Sequence, residues 1–186
     1  MNLGASALVI VDAQQGFDDP WWGPRNNPDA DANIAALDKA YAAEGLSRIY
    51  VQHDSANPDS PLHPANPGHQ LKSYLDSEPQ LRIAKTVNSS FHGSPDLDAW
   101  LKQRKLSELV ICGITTNHCC ETTARVGGNL GYDVLFVADA TYTFDRTGPD
   151  GTTMTADELT RATCTNLHGE FATVVATADV VRALAR

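Results

Sequence analysis

The chain has 186 residues, 42% hydrophobic and 20% charged, a composition that suits one globular domain with a sizeable core. Its formal net charge of −9 argues against a nucleic-acid or anionic-membrane partner. The N-terminus shows no basic region or leader-length apolar stretch, no apolar run nears the roughly 18 residues of a membrane span, and the four cysteines (Cys112, Cys119, Cys120, Cys164) form no disulfide framework, so a reduced, cytoplasmic protein is expected.

Short β-branched runs alternate with stretches of helical period along residues 1–186, which predicts a single α/β domain on a six-stranded, largely parallel sheet. The first strand is expected at Ala7–Asp12. A helix follows at Ala30–Ala43, with Ile34, Leu37 and Tyr41 at helical spacing and Gly45 as its stop. Strands at Arg48–His53 and Leu81–Lys85 precede a short helix at Leu97–Arg104. The strand Leu109–Gly113 leads into a helix over Asn117–Leu130, closed by Gly131 and weakened by the Gly127-Gly128 pair. A strand at Asp133–Ala138, a helix at Ala156–His168, a strand at Ala172–Ala176 and a helix at Ala178–Leu184 complete the set. Two connections, Gln14–Asp29 and the proline-rich Asp54–Pro79, are too long to be mere links and read as walls of a pocket.

In open α/β sheets ligands bind beyond the carboxyl ends of the strands. Three chemically useful side chains fall at such ends: Asp12, Lys85 and Cys119. Cys119 sits where a strand gives way to a helix, where unpaired N–H groups and the positive dipole end lower a thiol pKa and hold a negative oxygen. Each residue alone has a plainer reading: cysteine is among the most buried residue types, a strand-end Asp often caps a loop, and a strand-end Lys is usually a solvated edge residue. An Asp taking a proton from a Cys also faces reference pKa values of about 3.9 and 8.5, a gap of roughly 6 kcal/mol. The helix start and the Lys85 ammonium are expected to narrow it by depressing the Cys119 pKa.

The segments Val9-Ile-Val-Asp-Ala-Gln14, Lys85 with Asn88-Ser-Ser-Phe91, Gly113-Ile-Thr-Thr-Asn-His-Cys119 with Thr122-Thr-Ala-Arg125, Gly131-Tyr-Asp-Val134 and Val137-Ala-Asp-Ala140 stand in one order along nearly the whole chain. In this the chain resembles the isochorismatase-like cysteine hydrolase superfamily, which includes nicotinamidases, carbamoyl-amide hydrolases and isochorismatases. The resemblance implies a three-layer, Rossmann-like α/β/α fold. It implies Cys119 as nucleophile, Asp12 and Lys85 as its triad partners, a cis peptide before Thr115, and the backbone N–H groups of Thr115 and Cys119 as an oxyanion hole. Gln14, Phe17, Trp21, Asn88, Phe91, His118 and Tyr142 are substrate-binding candidates, chiefly by the same resemblance. Cys112, Cys120, Cys164 and Arg125 are expected to be structural.

His53, Asp54, His63 and His69 raise the question of a metal. Nicotinamidases of the superfamily use an Asp-x-His pair, and the corresponding stretch here, Val51-Gln-His-Asp54, lacks that spacing, so neither a metal nor a cofactor is expected. The expected activity is cleavage of a small amide-type C–N bond through a Cys119 thioester. The alternatives are vinyl-ether hydrolysis driven by Asp12, with the thiol dispensable, and a catalytically silent binding or scaffolding relative. The expected partners are a small-molecule substrate and further copies of the chain, as a dimer or tetramer, with apolar surface at Trp21-Trp22.

Overall fold

Every residue of the strand Ser6–Val11 (β1) is buried, as an apolar run covered on both faces must be. In the computed structural model, which describes residues 3–185, β1 is followed by the helix Ala30–Ala43 (α1), the strands Ser47–His53 (β2) and Leu81–Lys85 (β3), and the helix Leu97–Arg104 (α2). The strand Glu108–Ile114 (β4), the helix Glu121–Asn129 (α3) and the strand Asp133–Tyr142 (β5) come next. A hairpin of Arg146–Thr147 (β6) and Thr153–Met154 (β7), the helix Ala156–Leu167 (α4), the strand Thr173–Val175 (β8) and the helix Thr177–Leu184 (α5) end the chain. Met1 and Asn2, part of the segment read above for a leader, lie outside the described residues. Among the described residues no helix is long and apolar enough to cross a membrane.

The main sheet has the order β3-β2-β1-β4-β5-β8, and every adjacent pair in it is parallel. Alternation along the central strands divides the core in two. Leu8, Ile10, Val110 and Cys112 pack with Ile34, Leu37 and Tyr41 of α1 and Val180 of α5. Ala7, Val9, Val11, Leu109 and Ile111 face the other way, onto Leu97 and Leu101 of α2, Ala124 of α3 and Leu167 of α4. The result is three layers, helix on sheet on helix. After β1 the chain adds strands on one side of it, then returns to place β4 on the other. The direction of winding reverses between β1 and β4, and such a switch point opens a crevice at the carboxyl ends of the strands.

The structure departs from the sequence expectation in three places. β5 runs to Tyr142 rather than Ala138, because a shift in register lets its last residues pair with Gly113 and Ile114 of β4. The hairpin β6–β7 was not anticipated: its two-residue strands are exposed and carry one apolar residue, Met154, too few to mark an alternation. The segment after β4 does not enter an α-helix at Asn117. Thr116–Cys120 form a turn of π-helix and α3 begins at Glu121.

Gly113 brings the two central strand ends together. Its φ is +124°, and a Cβ there would collide with the Val11 carbonyl and stand 2.7 Å from the Val11 nitrogen. Gly45 has a φ of +65° but nothing within 4 Å of such a Cβ. Gly113→Ala should therefore lose more than about 3 kcal/mol of stability, against about 1–2 kcal/mol for Gly45→Ala, where only the left-handed backbone is penalised. Urea midpoints measure the difference, and equal losses would contradict this account of the strand crossing.

Candidate active site

Asp12 follows the last residue of β1 with a φ of +49°, a left-handed conformation costing on the order of 1–3 kcal/mol for a non-glycine residue. Its N–H donates to Val51 O at 3.0 Å and its carbonyl accepts from Gln14 N at 2.7 Å, so neighbouring backbone holds the bend. The carboxylate is buried. One oxygen, Oδ2, accepts from Lys85 Nζ at 2.6 Å, and the other, Oδ1, meets no hydrogen-bond donor. Lys85 ends β3, which lies beyond β2 and so about 10 Å from β1. A long side chain is what closes that gap, and both members of the ion pair are sealed from solvent.

Cys119 lies in the π turn Thr116–Cys120, just after the cis peptide Ile114–Thr115. The turn is pinned from within: the N–H groups of His118 and Cys120 both donate to Thr115 O, at 3.3 and 3.2 Å. It is also pinned from outside, as Thr116 Oγ1 donates to Thr141 Oγ1 at 2.9 Å and Thr143 Oγ1 to Asn117 Oδ1 at 2.5 Å. This arrangement sets Cys119 Sγ 3.4 Å from Lys85 Nζ and 3.7 Å from Asn88 Oδ1.

The charges bear differently on each group. Burial penalises the Lys85 ammonium, but the Asp12 carboxylate and Cys119 outweigh that penalty and its pKa lies above the ordinary lysine value. The Cys119 thiol goes the opposite way from the sequence expectation. Burial pushes its pKa up and the Asp12 charge adds to this, so that the pull of Lys85 does not bring it down. The helix-start argument presupposed a more open thiol at the first turn of an α-helix; here it is buried in the turn before one. Burial also raises the pKa of Cys112, Cys120 and Cys164.

A cavity of about 120 Å³ opens onto this group. Asp12, Thr115 and Cys119 reach it from the strand ends; Phe17, Trp22 and Leu62 form an apolar wall, and His53, Asn88 and His118 a polar one. Phe17 and Trp22 come from the Gln14–Asp29 connection and Leu62 from Asp54–Pro79. A wider hollow of about 360 Å³ beside Tyr132, Glu170 and Phe171 lies at the amino ends of β5 and β8, away from any nucleophile.

Of the substrate-binding candidates, Phe17, Asn88 and His118 line the cavity. The other four lie elsewhere. Gln14 is buried behind it, hydrogen-bonded to the backbone of His53 and His69. Trp21 points to solvent at 57% exposure, while the adjacent Trp22 turns inward. Phe91 packs on Tyr132, with centroids 5.8 Å apart. Tyr142 is in the core, edge-on to Phe144 and beneath the Arg25 guanidinium. Trp22 and Leu62 belong to the two connections read as pocket walls and do line the cavity, though neither they nor His53 were among the named substrate-binding candidates. His53 ends β2, and the strand-end rule that found Asp12 and Lys85 applies to it equally.

The histidines and carboxylates considered for a metal do not converge: His69 Nε2 is paired with Asp54 Oδ1 at 2.7 Å, and His63 Nδ1 accepts from Ala65 N at 3.2 Å. Asp12, His53 and Cys119 do bring an oxygen, a nitrogen and a sulfur within 4.8 Å of one another. That set already encloses a cation, the Lys85 ammonium. Arg125 is structural, bonded to Glu121 at 2.7 and 2.9 Å and set over the Phe171 ring.

Comparison with known proteins gives the family. The sequence profile of the isochorismatase domain matches residues 6–179. The isochorismatase family protein YrdC of Bacillus subtilis is 40% identical over 176 residues, 94% of each chain. The ureidoacrylate amidohydrolase RutB of Pseudomonas savastanoi pv. phaseolicola is 28% identical over 187 residues, covering 81% of this chain and 74% of that one. The crystal structure of an isochorismatase-family protein from Chromobacterium violaceum superimposes with a TM-score of 0.91 at 40% identity, covering 97% of this chain and 93% of the other. With the profile spanning all six strands of the main sheet, the chain belongs to the isochorismatase family of hydrolases.

Proposed function

We propose that the chain hydrolyses a small amide-type C–N bond through a thioester on Cys119. The observation that carries this reading is the sealed contact of Asp12, Lys85 and Cys119 at the floor of a small cavity. The name of the relative RutB, an amidohydrolase, supports the bond type. The cavity's volume suits a small molecule, and its apolar and polar walls suit a flat acyl group with hydrogen-bonding edges.

Burial favours the neutral form of the resting thiol, and in this reading the proton leaves as the nucleophile attacks. Asp12 Oδ1, buried without a donor, is the oxygen with a lone pair to spare for it. Lys85 stabilises the thiolate as it forms and keeps Oδ2 occupied. Sγ then bonds to the carbonyl carbon, and the oxyanion is held by the N–H groups of Thr115 and Cys119. Asp12 returns its proton to the departing amine as the C–N bond breaks, leaving the acyl group on sulfur. In the second half Asp12 takes a proton from water, the hydroxyl adds to the thioester, and the S–C bond breaks with the proton going back to sulfur.

Hydrolysis screened over small amides, ureas and carbamates tests the activity. On any compound turned over, Cys119→Ala should lose at least about 10³-fold in kcat, since covalent catalysis loses its first step. Asp12→Asn should be similarly impaired; Asn tolerates the left-handed backbone, but it leaves the buried Lys85 charge without its carboxylate, so its rate is compared at a temperature where circular dichroism shows it folded. If Cys119→Ala works near normally, the thioester is ruled out; if a vinyl ether added to the panel is cleaved by Cys119→Ala but not by Asp12→Asn, the Asp12-driven vinyl-ether reading replaces it.

The raised thiol pKa gives a second expected outcome. A raised value means less thiolate at every pH, so iodoacetamide labelling of Cys119 should have a midpoint above the ordinary value of about 8.5. Peptide mass spectrometry over a pH series measures it. A midpoint below the ordinary value would show that the helix start and Lys85 prevail over burial.

A further inference from the structure

An ammonium group has three N–H donors and no acceptor. Around Lys85 Nζ stand three acceptors: Asp12 Oδ2 at 2.6 Å, Cys119 Sγ at 3.4 Å and His53 Nδ1 at 3.4 Å. Two of them belong to the mechanism above; His53 has no part in it. A ring nitrogen that accepts from an ammonium has committed its lone pair, and a neutral imidazole then carries its proton on the other nitrogen, Nε2. The ring is kept neutral by burial and by the Lys85 charge, against the opposing carboxylates of Asp12 and Asp54, with the nearby His69 adding to the first two.

The placement of His53 is controlled from both sides of its backbone. Gln14 Oε1 accepts from His53 N at 2.8 Å and Gln14 Nε2 donates to His53 O at 3.2 Å. The same amide donates to His69 O at 2.9 Å, tying the long proline-rich connection to the strand end. Half-buried, the ring lines the cavity that Cys119 opens onto. No hydrogen bond from Nε2 to a described residue occupies its proton.

We propose that His53 is a positioning and recognition residue: Nδ1 holds the Lys85 ammonium between Asp12 and Cys119, and Nε2–H is the donor offered to a second acceptor on the substrate, a carbonyl oxygen beside the scissile bond. The substrate class is then a small acylurea, imide or dicarbonyl compound, with a second carbonyl next to the one attacked, rather than a simple monoamide. The recognition half rests on the hydrolase reading; the positioning half does not.

The test needs no turnover. Long-range ¹H–¹⁵N correlation spectra of the wild-type imidazoles, with His53 assigned by its loss in His53→Asn, should show a pyridine-type Nδ1 and a pyrrole-type Nε2 near pH 7. A proton on Nδ1 overturns the proposal. Iodoacetamide labelling of Cys119 at fixed pH gives the second readout. His53→Leu, which removes the acceptor, should label about tenfold more slowly, while His53→Asn, whose Oδ1 stands near the Nδ1 position, should stay within about twofold of wild type. Equal rates in all three proteins overturn the positioning role, and the wild-type spectra decide the tautomer even if His53→Leu does not fold. With acylureas and imides added to the panel, His53→Asn should lose about tenfold more in kcat/KM for these two-carbonyl compounds than for simple amides, and equal losses overturn the recognition role. Failure of the panel itself counts against the hydrolase reading alone.

Discussion

A lysine ammonium cut off from water must find its partners inside the protein, and the active end of this molecule is organised by that requirement. Lys85 and Asp12 are both fully buried, and taking away one partner of such a pair typically costs about 3–5 kcal/mol because the other is left charged and alone. Meeting the need fixes much else. β3 must end two strands away from β1, so that the lysine arrives extended, and the backbone at Asp12 must turn left-handed to present its carboxylate. The turn after β4 must bring sulfur to the same ammonium. Each of these devices is local and costly, and the ion pair gives them a common purpose.

The chemistry was more legible in the sequence than its geometry. Asp12 and Lys85 end strand-like runs and Cys119 closely follows one, so pattern alone sets all three on the carboxyl edge of a parallel sheet, while their grouping as a triad was implied by the family resemblance. The unbroken apolar run Ala7–Val11 likewise foretells a strand packed on both faces. The environment of the thiol was not legible. Its distance below the surface depends on a π turn whose hydrogen bonds run to Thr141 and Thr143, over twenty residues further along the chain. Sequence spacing says nothing of that depth, and depth decides the sign of the pKa shift.

Side chains on the long connections were read least well, for a related reason. Trp21 and Trp22 are alike in type and adjacent, and only the short turn Pro20–Trp22, capped by Asp19, determines which one faces inward. Gln14, chosen for its polar amide, spends that amide on backbone groups. Tyr142 and Phe91 carry the right chemistry but lie beneath the surface that substrate would touch. The β-hairpin carries no apolar period at all, and its existence rests on the turn at Gly148–Gly151.

The inward-facing Trp22 gives the molecule a property separate from catalysis. Its ring lies 5.0 Å from Phe17 and 5.7 Å from Phe144, and its Nε1–H is fixed on Gly16 O at 2.9 Å, so the ring is anchored where it lines the cavity. The other two tryptophans stand apart from the cavity lining: Trp21 in solvent, Trp100 under the Arg104 guanidinium. Indole emission depends on the polarity around the ring. A molecule entering the cavity therefore changes the surroundings of one tryptophan in three, and the protein carries an optical gauge of its own occupancy that reads binding before any bond is broken.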